Sequence, residues 1–163
     1  MYRDKNSRAN IQFYKVELGD KCVYAGEYPG DRDNEIAKKK ISRLLEMGIR
    51  HFIDLTEEGE LIPYSTMLPI GTTYLRFPIV DQNTPKREDS VVQLLNDIHE
   101  LQKKEGGIYI HCWGGVGRTG TIIGCLIAKE LNLSLEDSLK QLRKDFEAET
   151  MPKSAYRVTP ENE

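Results

Sequence analysis

Residues 108–120 read Ile-Tyr-Ile-His-Cys-Trp-Gly-Gly-Val-Gly-Arg-Thr-Gly, and few architectures accommodate such a stretch. Ile108, Tyr109 and Ile110 follow Gly106-Gly107 and have the β-branched and aromatic character of a buried strand. Thr121 to Ala128 is apolar nearly all round, which predicts a helix buried at the centre of the fold. A glycine-rich strand-to-helix loop is expected between them. Its backbone N–H groups, from Trp113 through Gly114, Gly115, Val116 and Gly117 to Arg118, can point into one concavity. The helix, expected to start near Arg118, adds the positive end of its dipole. That concavity suits a dianionic phosphate. Gly114, Gly115 and Gly117 would give the curvature, since they put no side chain in a ligand's way and can take positive φ.

Cys112 lies at the bottom of this cradle. A free thiol has a pKa of about 8.5, but helix N-termini and nearby cations lower it to roughly 3.5–7.5, and the thiolate is the nucleophile. Arg118, six positions on, offers a planar fork of donors that can hold two phosphoryl oxygens side by side, which a lysine cannot. Thr119 can hydrogen-bond the sulfur and ease its departure, and His111 is read as ordering the loop backbone rather than as a base. A buried Cys and His before an ordinary glycine loop is the alternative. On this chain's own residue frequencies the full pattern would arise by chance in about a few of 10^5 such chains.

His111-Cys112-x-x-Gly115-x-x-Arg118-Thr119 resembles the signature loop of the cysteine-based protein phosphatases. The resemblance implies a cysteinyl-phosphate intermediate and no metal or other cofactor.

A chain of 163 residues, 39% hydrophobic and 30% charged, fits one globular domain with a core of its own. A net charge of −3 argues against a nucleic-acid-binding surface as the main business of the fold. Cys22, Cys112 and Cys125 are too few and too unevenly spaced for a disulfide framework. The N-terminal residues lack an apolar signal-peptide core, and no apolar stretch approaches a membrane span. The expectation is a soluble, cytoplasmic monomer with neither membrane nor nucleic acid as partner.

Along the chain, Ile11 to Val16 and Cys22 to Ala25 read as strands of an edge hairpin turning at Gly19-Asp20-Lys21. Asp33 can cap a helix with Ala37, Ile41, Leu44 and Leu45 on its apolar face, closed by Gly48. Lys38, Lys39 and Lys40 are expected in solvent. Arg50 to Leu55 reads as a strand in which His51 has no chemistry, and the loop Thr56 to Glu60 reads as solvated, without metal-ligand spacing. Thr73 to Phe77 is the next strand.

Asp81, in the loop Pro78 to Pro85, is the candidate general acid, since it follows a strand end and precedes Cys112 by enough chain for one helix and one strand. That helix is predicted from Thr84-Pro85 to about Lys104, with His99 near its end as a partly buried or capping residue. Cys125 is expected in the core. Ser134 and Asp137 would cap a last helix with Leu135, Leu139, Leu142 and Phe146 on one face, and Met151 to Glu163 reads as loop or tail. The whole predicts a single α/β domain over residues 1–163, a central, mostly parallel sheet of four to five strands flanked by helices.

The resemblance covers roughly Ile49 to Arg143. With Gly59-Glu60-Leu61 and Pro78-Ile79-x-Asp81-x-x-Thr84-Pro85 added, it is to the compact dual-specificity group, especially the kinase-associated phosphatase subgroup and its prokaryotic relatives. It implies that Cys112 attacks phosphorus, Asp81 protonates the leaving oxygen and then activates water, and Arg118 holds the phosphoryl oxygens of a phosphorylated protein substrate. The chain has no W-P-D segment or recognition loop of the long tyrosine-specific enzymes, so strict phosphotyrosine specificity is not implied. Low-molecular-weight phosphatases place the acid after the cysteine, the reverse of the order here. A phosphoinositide or RNA 5′-phosphate substrate is the alternative, although Trp113 to Gly117 contains none of the lysines that suit polyanions. A phosphate-binding module without turnover would be expected to have lost Cys112, Arg118 or Asp81.

Overall fold

Alternation along the central strands decides which face of the sheet each residue serves. The computed structural model describes residues 4–80 and 88–148. The strands are β1 (Phe13–Leu18), β2 (Lys21–Gly26), β3 (Ile49–Asp54), β4 (Thr73–Arg76) and β5 (Gly107–His111). The helices are α1 (Lys5–Ala9), α2 (Asn34–Glu46), α3 (Glu88–Leu101), α4 (Gly117–Glu130) and α5 (Leu135–Ala148). The five strands form one sheet in the order β1-β2-β5-β3-β4, with β1 and β2 antiparallel and the other pairings parallel. This is the mostly parallel α/β sheet that the sequence predicts.

The hairpin strands run two residues later than expected at β1, because a two-residue turn at Gly19-Asp20, with Gly19 at φ +74°, lets Leu18 pair with Lys21. Of the two hairpin strands β1 is at the edge of the sheet, while β2 is internal and pairs with β5 through Tyr24–Tyr109, Ala25–Ile110 and Gly26–His111. The short α1 leaves too little periodicity to be read from sequence. Asp4 caps it by accepting from the Ser7 N–H at 2.8 Å, and Arg8 Nε donates to Asp31 at 3.1 Å.

Asp33 caps α2, its carboxylate accepting from the N–H groups of Glu35 and Ile36 at 3.0 and 3.4 Å. The lysine run departs from expectation at Lys40, which is 5% exposed and donates from Nζ to the Gly30 carbonyl at 3.1 Å. Helical spacing explains it: Lys40 is four residues after Ile36 and four before Leu44, on the buried face. Ser134 Oγ accepts from the Asp137 N–H at 3.2 Å before α5.

Two cores result. Ile53, Leu55, Ile108 and Ile110 pack against α3, α4 and α5, where Leu94, Ile98, Ile122, Ile123, Leu126, Ile127 and Leu142 are buried. Phe52, Tyr109 and Tyr64 face the other way, toward Ile41 and Leu44 of α2. Burial of each such side chain contributes about 1.5–3 kcal/mol.

Gly26, at the end of β2, sits where chain segments crowd. An ideal Cβ there would lie 2.5 Å from the Gln12 carbonyl oxygen and from Tyr109 Oη, and 2.7 Å from Phe13 Cα. Two of these are backbone atoms of the hairpin, so relief requires moving the sheet edge. Gly26→Ala is therefore expected to destabilise the fold by about 1–3 kcal/mol or more, whereas alanine at the solvent-exposed position Ser42 should change stability by less than about 0.5 kcal/mol. Urea unfolding of both variants checks the contrast.

Candidate active site

β5 delivers Cys112. Its alternation sends Ile108, Ile110 and Cys112 to the α4 side, where Cys112 is 3% exposed, and sends Tyr109 and His111 to the α2 side. The chain then turns through residues 112–116 and enters α4 at Gly117, one residue before the expected start. No side chain caps α4, so the N–H groups of its first turn have no side-chain acceptor at the N-cap. An anion set before this end would meet the helix dipole.

Of the loop glycines, only Gly115 takes a positive φ, at +79°; the curvature expected also of Gly114 and Gly117 is made without it. A Cβ on Gly115 would overlap the carbonyl of Gly26, so the loop lies directly on the end of β2. The loop is also hydrogen-bonded there. The Tyr28 N–H donates to the Trp113 carbonyl at 2.9 Å, and Tyr14 Oη donates to the Gly115 carbonyl at 3.2 Å. These contacts hold the peptide groups of the loop from behind.

Arg118 is buried and its guanidinium is fixed. Nη1 and Nη2 donate to the two carboxylate oxygens of Glu60, both at 2.8 Å, and Nη1 also donates to the Ile79 carbonyl at 3.0 Å. The loop 56–60 is therefore not simply solvated, as its composition suggests. Glu57 and Glu58 are exposed, but Glu60 turns inward, and its hydrogen bond to Arg118 holds its carboxyl below the ordinary range. An arginine placed in a dry site needs a carboxylate partner, and the loop leaving β3, the parallel neighbour of β5, is rich in acids. That was the available signal.

His111 is buried among Tyr28, Tyr64 and Tyr109, with ring centroids 5.4, 5.4 and 5.7 Å away. Its Nδ1–H donates to the Cys112 carbonyl at 3.2 Å, so neutral Nε2 accepts from Tyr64 Oη at 2.5 Å. Burial lowers the His111 pKa to about 4, and the same burial pushes the Tyr64 phenol well up. Beside them lies Asp54, fully buried at the end of β3. It accepts from the Thr56 N–H at 2.9 Å, Thr56 Oγ1 at 2.6 Å, Tyr74 Oη at 2.5 Å and Arg76 Nη2 at 3.4 Å. The contributing tyrosines are scattered through the chain and carry no local motif, so sequence reasoning did not find them.

Thr119 is fully buried on α4, and its Oγ1 makes no hydrogen bond among the described residues. Trp113 stands out at 61% exposure. Asp81, Thr84 and Pro85 lie outside the described residues, as does Met151 to Glu163. His51 donates from Nε2 to the Glu105 carbonyl at 2.9 Å, and His99 lies 3.4 Å from Glu130; both are far from Cys112 in their contacts. Among the described residues, no cluster of three or more His, Cys, Asp or Glu can hold a metal ion.

The model of the Swiss Army Knife protein DSP-PTPase phosphatase domain, PTP-SAK, matches residues 32–155. Protein 067L of Invertebrate iridescent virus 3, which bears a tyrosine-phosphatase name, is 32% identical over 127 residues, 75% of this chain and 48% of that protein. Dual specificity protein phosphatase 15 of Homo sapiens is 27% identical over 121 residues, 74% of this chain and 38% of that protein. This chain thus spans about half the length of its viral relative, or less for the human one. In fold it is similar to a crystal structure of kinase associated phosphatase whose catalytic-site cysteine is replaced by serine, with a TM-score of 0.68 at 21% identity, covering 82% of this chain and 83% of that one.

The buried neutral His111 has a consequence for stability. The unfolded chain takes up a proton near pH 6.5, while the folded chain does so only at about 4. Stability from this group is complete above pH 6.5 and is lost as pH falls toward 4, by up to about 1.4 kcal/mol per pH unit. Between pH 6.5 and 5, where most carboxylates stay ionised, urea unfolding should show this slope, and His111→Asn should flatten it.

Proposed function

The chain belongs to the Swiss Army Knife DSP-PTPase phosphatase domain family, and from that premise we propose that it hydrolyses phosphate monoesters on proteins, at tyrosine and at serine or threonine. The observation that carries this reading is the Glu60-clamped Arg118 on the first turn of an uncapped buried helix, six residues after a recessed Cys112. Glu60 and Ile79 fix the plane of the guanidinium along its Nη1–Nη2 edge. The edge formed by Nε and Nη2 is then the one that can receive two phosphoryl oxygens.

In the proposed reaction Cys112 Sγ, as thiolate, attacks phosphorus. The S–P bond forms as the ester O–P bond breaks, and Asp81 gives its proton to the leaving oxygen. Only Val80 separates Asp81 from Ile79, whose carbonyl Arg118 holds, and this supports Asp81 in the role. Water then attacks the cysteinyl-phosphate, passing a proton to the Asp81 carboxylate as the S–P bond breaks. Thr119 Oγ1, which makes no other hydrogen bond, can donate to the departing sulfur. His111 holds the Cys112 carbonyl in place. Backbone N–H groups of Trp113, Gly114, Gly115, Val116 and Gly117, with Arg118, take up the charge on the phosphoryl oxygens, the main work in a loose phosphoryl-transfer transition state.

No metal has a role in either step, since the cation and the oriented amides supply the positive charge. The three cysteines are free thiols, which suits a reducing cytoplasm, and among the described residues no helix is long and apolar enough to cross a membrane. We take the working form as a monomeric domain acting on phosphorylated proteins.

Turnover of an aryl phosphate is expected to persist in EDTA. Cys112→Ser should abolish it while retaining phosphate binding, and Asp81→Asn should slow it by about 10²–10⁴. Metal dependence, or turnover surviving Cys112→Ser, would overturn the mechanism. Glu60→Gln, which keeps the shape but removes the counter-charge, is expected to lower kcat/KM by about 10- to 100-fold with little change in the melting transition.

A further inference from the structure

The carbonyls of Cys112, Trp113 and Gly115 are each held, and each by a different kind of group. His111 holds the Cys112 carbonyl from the adjacent position, its Nδ1–H donating at 3.2 Å. The main chain holds the Trp113 carbonyl, through the Tyr28 N–H at 2.9 Å. The Gly115 carbonyl is held by a side chain from the other end of the sequence, since Tyr14 Oη, on β1, donates to it at 3.2 Å across 101 positions. Tyr14 is 1% exposed and belongs to the same buried core as Cys112 and Val116, so the Gly115 carbonyl is drawn toward that core.

No peptide bond among the described residues is cis, and in a trans peptide the carbonyl of one residue and the N–H of the next point in opposite directions. The bond from Tyr14 therefore fixes the Val116 N–H as well, and sends it away from the Tyr14 hydroxyl. Val116 is the N-cap of α4, where no side chain accepts from the helix end, so this N–H stands with the donors of the first turn. Gly115, at φ +79°, resists a swing of that peptide less than a residue with a side chain would. Complete reversal is another matter, because it would carry Val116 from φ −114° to a positive φ that a β-branched residue avoids. Loss of the hydroxyl should therefore tilt the Gly115–Val116 peptide without inverting it.

We infer that Tyr14 is a positioning residue for the phosphoryl group: by holding the Gly115 carbonyl, its hydroxyl aims the Val116 N–H at the phosphoryl oxygens. This rests on the phosphatase reading of the Cys112–Arg118 loop and adds to it a residue of the N-terminal hairpin, outside the stretch 32–155 matched to the family.

The test uses the full chain, with inorganic phosphate as ligand and an aryl phosphate as substrate. In amide NMR spectra of the wild type, phosphate should move the Gly114 and Val116 amide protons downfield. In Tyr14→Phe, which keeps the packed ring and removes only the donor, the Val116 movement should shrink while that of Gly114 persists, because Tyr28 still holds the Trp113 carbonyl. The inhibition constant for phosphate should rise and kcat should fall, each by about 3- to 10-fold, the range set by one net hydrogen bond. Val16→Ala, on the same buried face of β1, should lower the melting transition at least as far and leave both constants unchanged. Wild-type phosphate affinity and kcat in Tyr14→Phe, or equal losses in Val16→Ala, would overturn the inference and leave the Cys112 chemistry standing. If Tyr14→Phe does not fold, the wild-type titration decides: a Val116 amide unmoved while that of Gly114 moves overturns the inference, and joint movement supports it. A folded wild type that neither binds phosphate nor turns over the ester would remove the phosphatase reading as well.

Discussion

The contact between Gly115 and Gly26 is the constraint on which the site depends. The loop after β5 must lie close enough to the end of β2 for its peptide groups to be held from behind, and a Cβ on Gly115 would prevent this. Once the two backbones meet, Tyr28 and Tyr14 can donate to the loop carbonyls of Trp113 and Gly115. Each such bond fixes the direction of one loop carbonyl. Loop shape is therefore tied to the end of β2, an element distant in sequence, and to the largely buried α4 that the loop feeds.

The two faces of β5 do different work with the same alternation. On the α4 side Ile108 and Ile110 lead to Cys112 through an apolar core, so the proposed nucleophile sits on a close-packed base. On the α2 side Tyr109 leads to His111, and there the neighbours are phenols and a buried carboxylate. Desolvation keeps that imidazole neutral, and the Cys112 carbonyl, which can only accept, fixes which nitrogen carries the proton. A charged imidazole next to Cys112 would change the field at its sulfur with pH; a neutral one anchors the Cys112 carbonyl without doing so. Asp54 remains tolerable because Thr56, Tyr74 and Arg76 satisfy its oxygens.

What could be read from sequence follows the range of the interactions. The strand, the loop and the helix around Cys112 are local, and residues 108–128 announce them through periodicity and glycine placement. The sheet class follows from alternating strand and helix signals. Lys40 was misplaced because a cation on a buried helical face looks, from composition alone, like its exposed neighbours Lys38 and Lys39. Glu60 was misplaced for the opposite reason, as an acid in an acidic loop whose partner lies 58 residues away. The tyrosines that surround His111 come from the segment after β2, from β5 and from the segment after β3, and their meeting is a property of the strand order, not of any stretch of chain.

Arg118 links these levels. Its guanidinium joins the start of α4 to Glu60, in the loop after β3, and to the Ile79 carbonyl, in the segment after β4 that leads to Asp81. Ile79 is pinned a second time by its own N–H, which donates to the Leu55 carbonyl at 3.0 Å. The cation proposed to grip the phosphoryl group is thus the same one that seats the root of the acid-bearing loop. Loss of Glu60 would not only weaken charge balance at Arg118; it would release the guanidinium to rotate away from Ile79 and loosen the place from which the acid must reach. In the proposed mechanism, substrate grip and acid placement would thus share a single side chain, with donors enough for Glu60, the Ile79 carbonyl and a phosphoryl group.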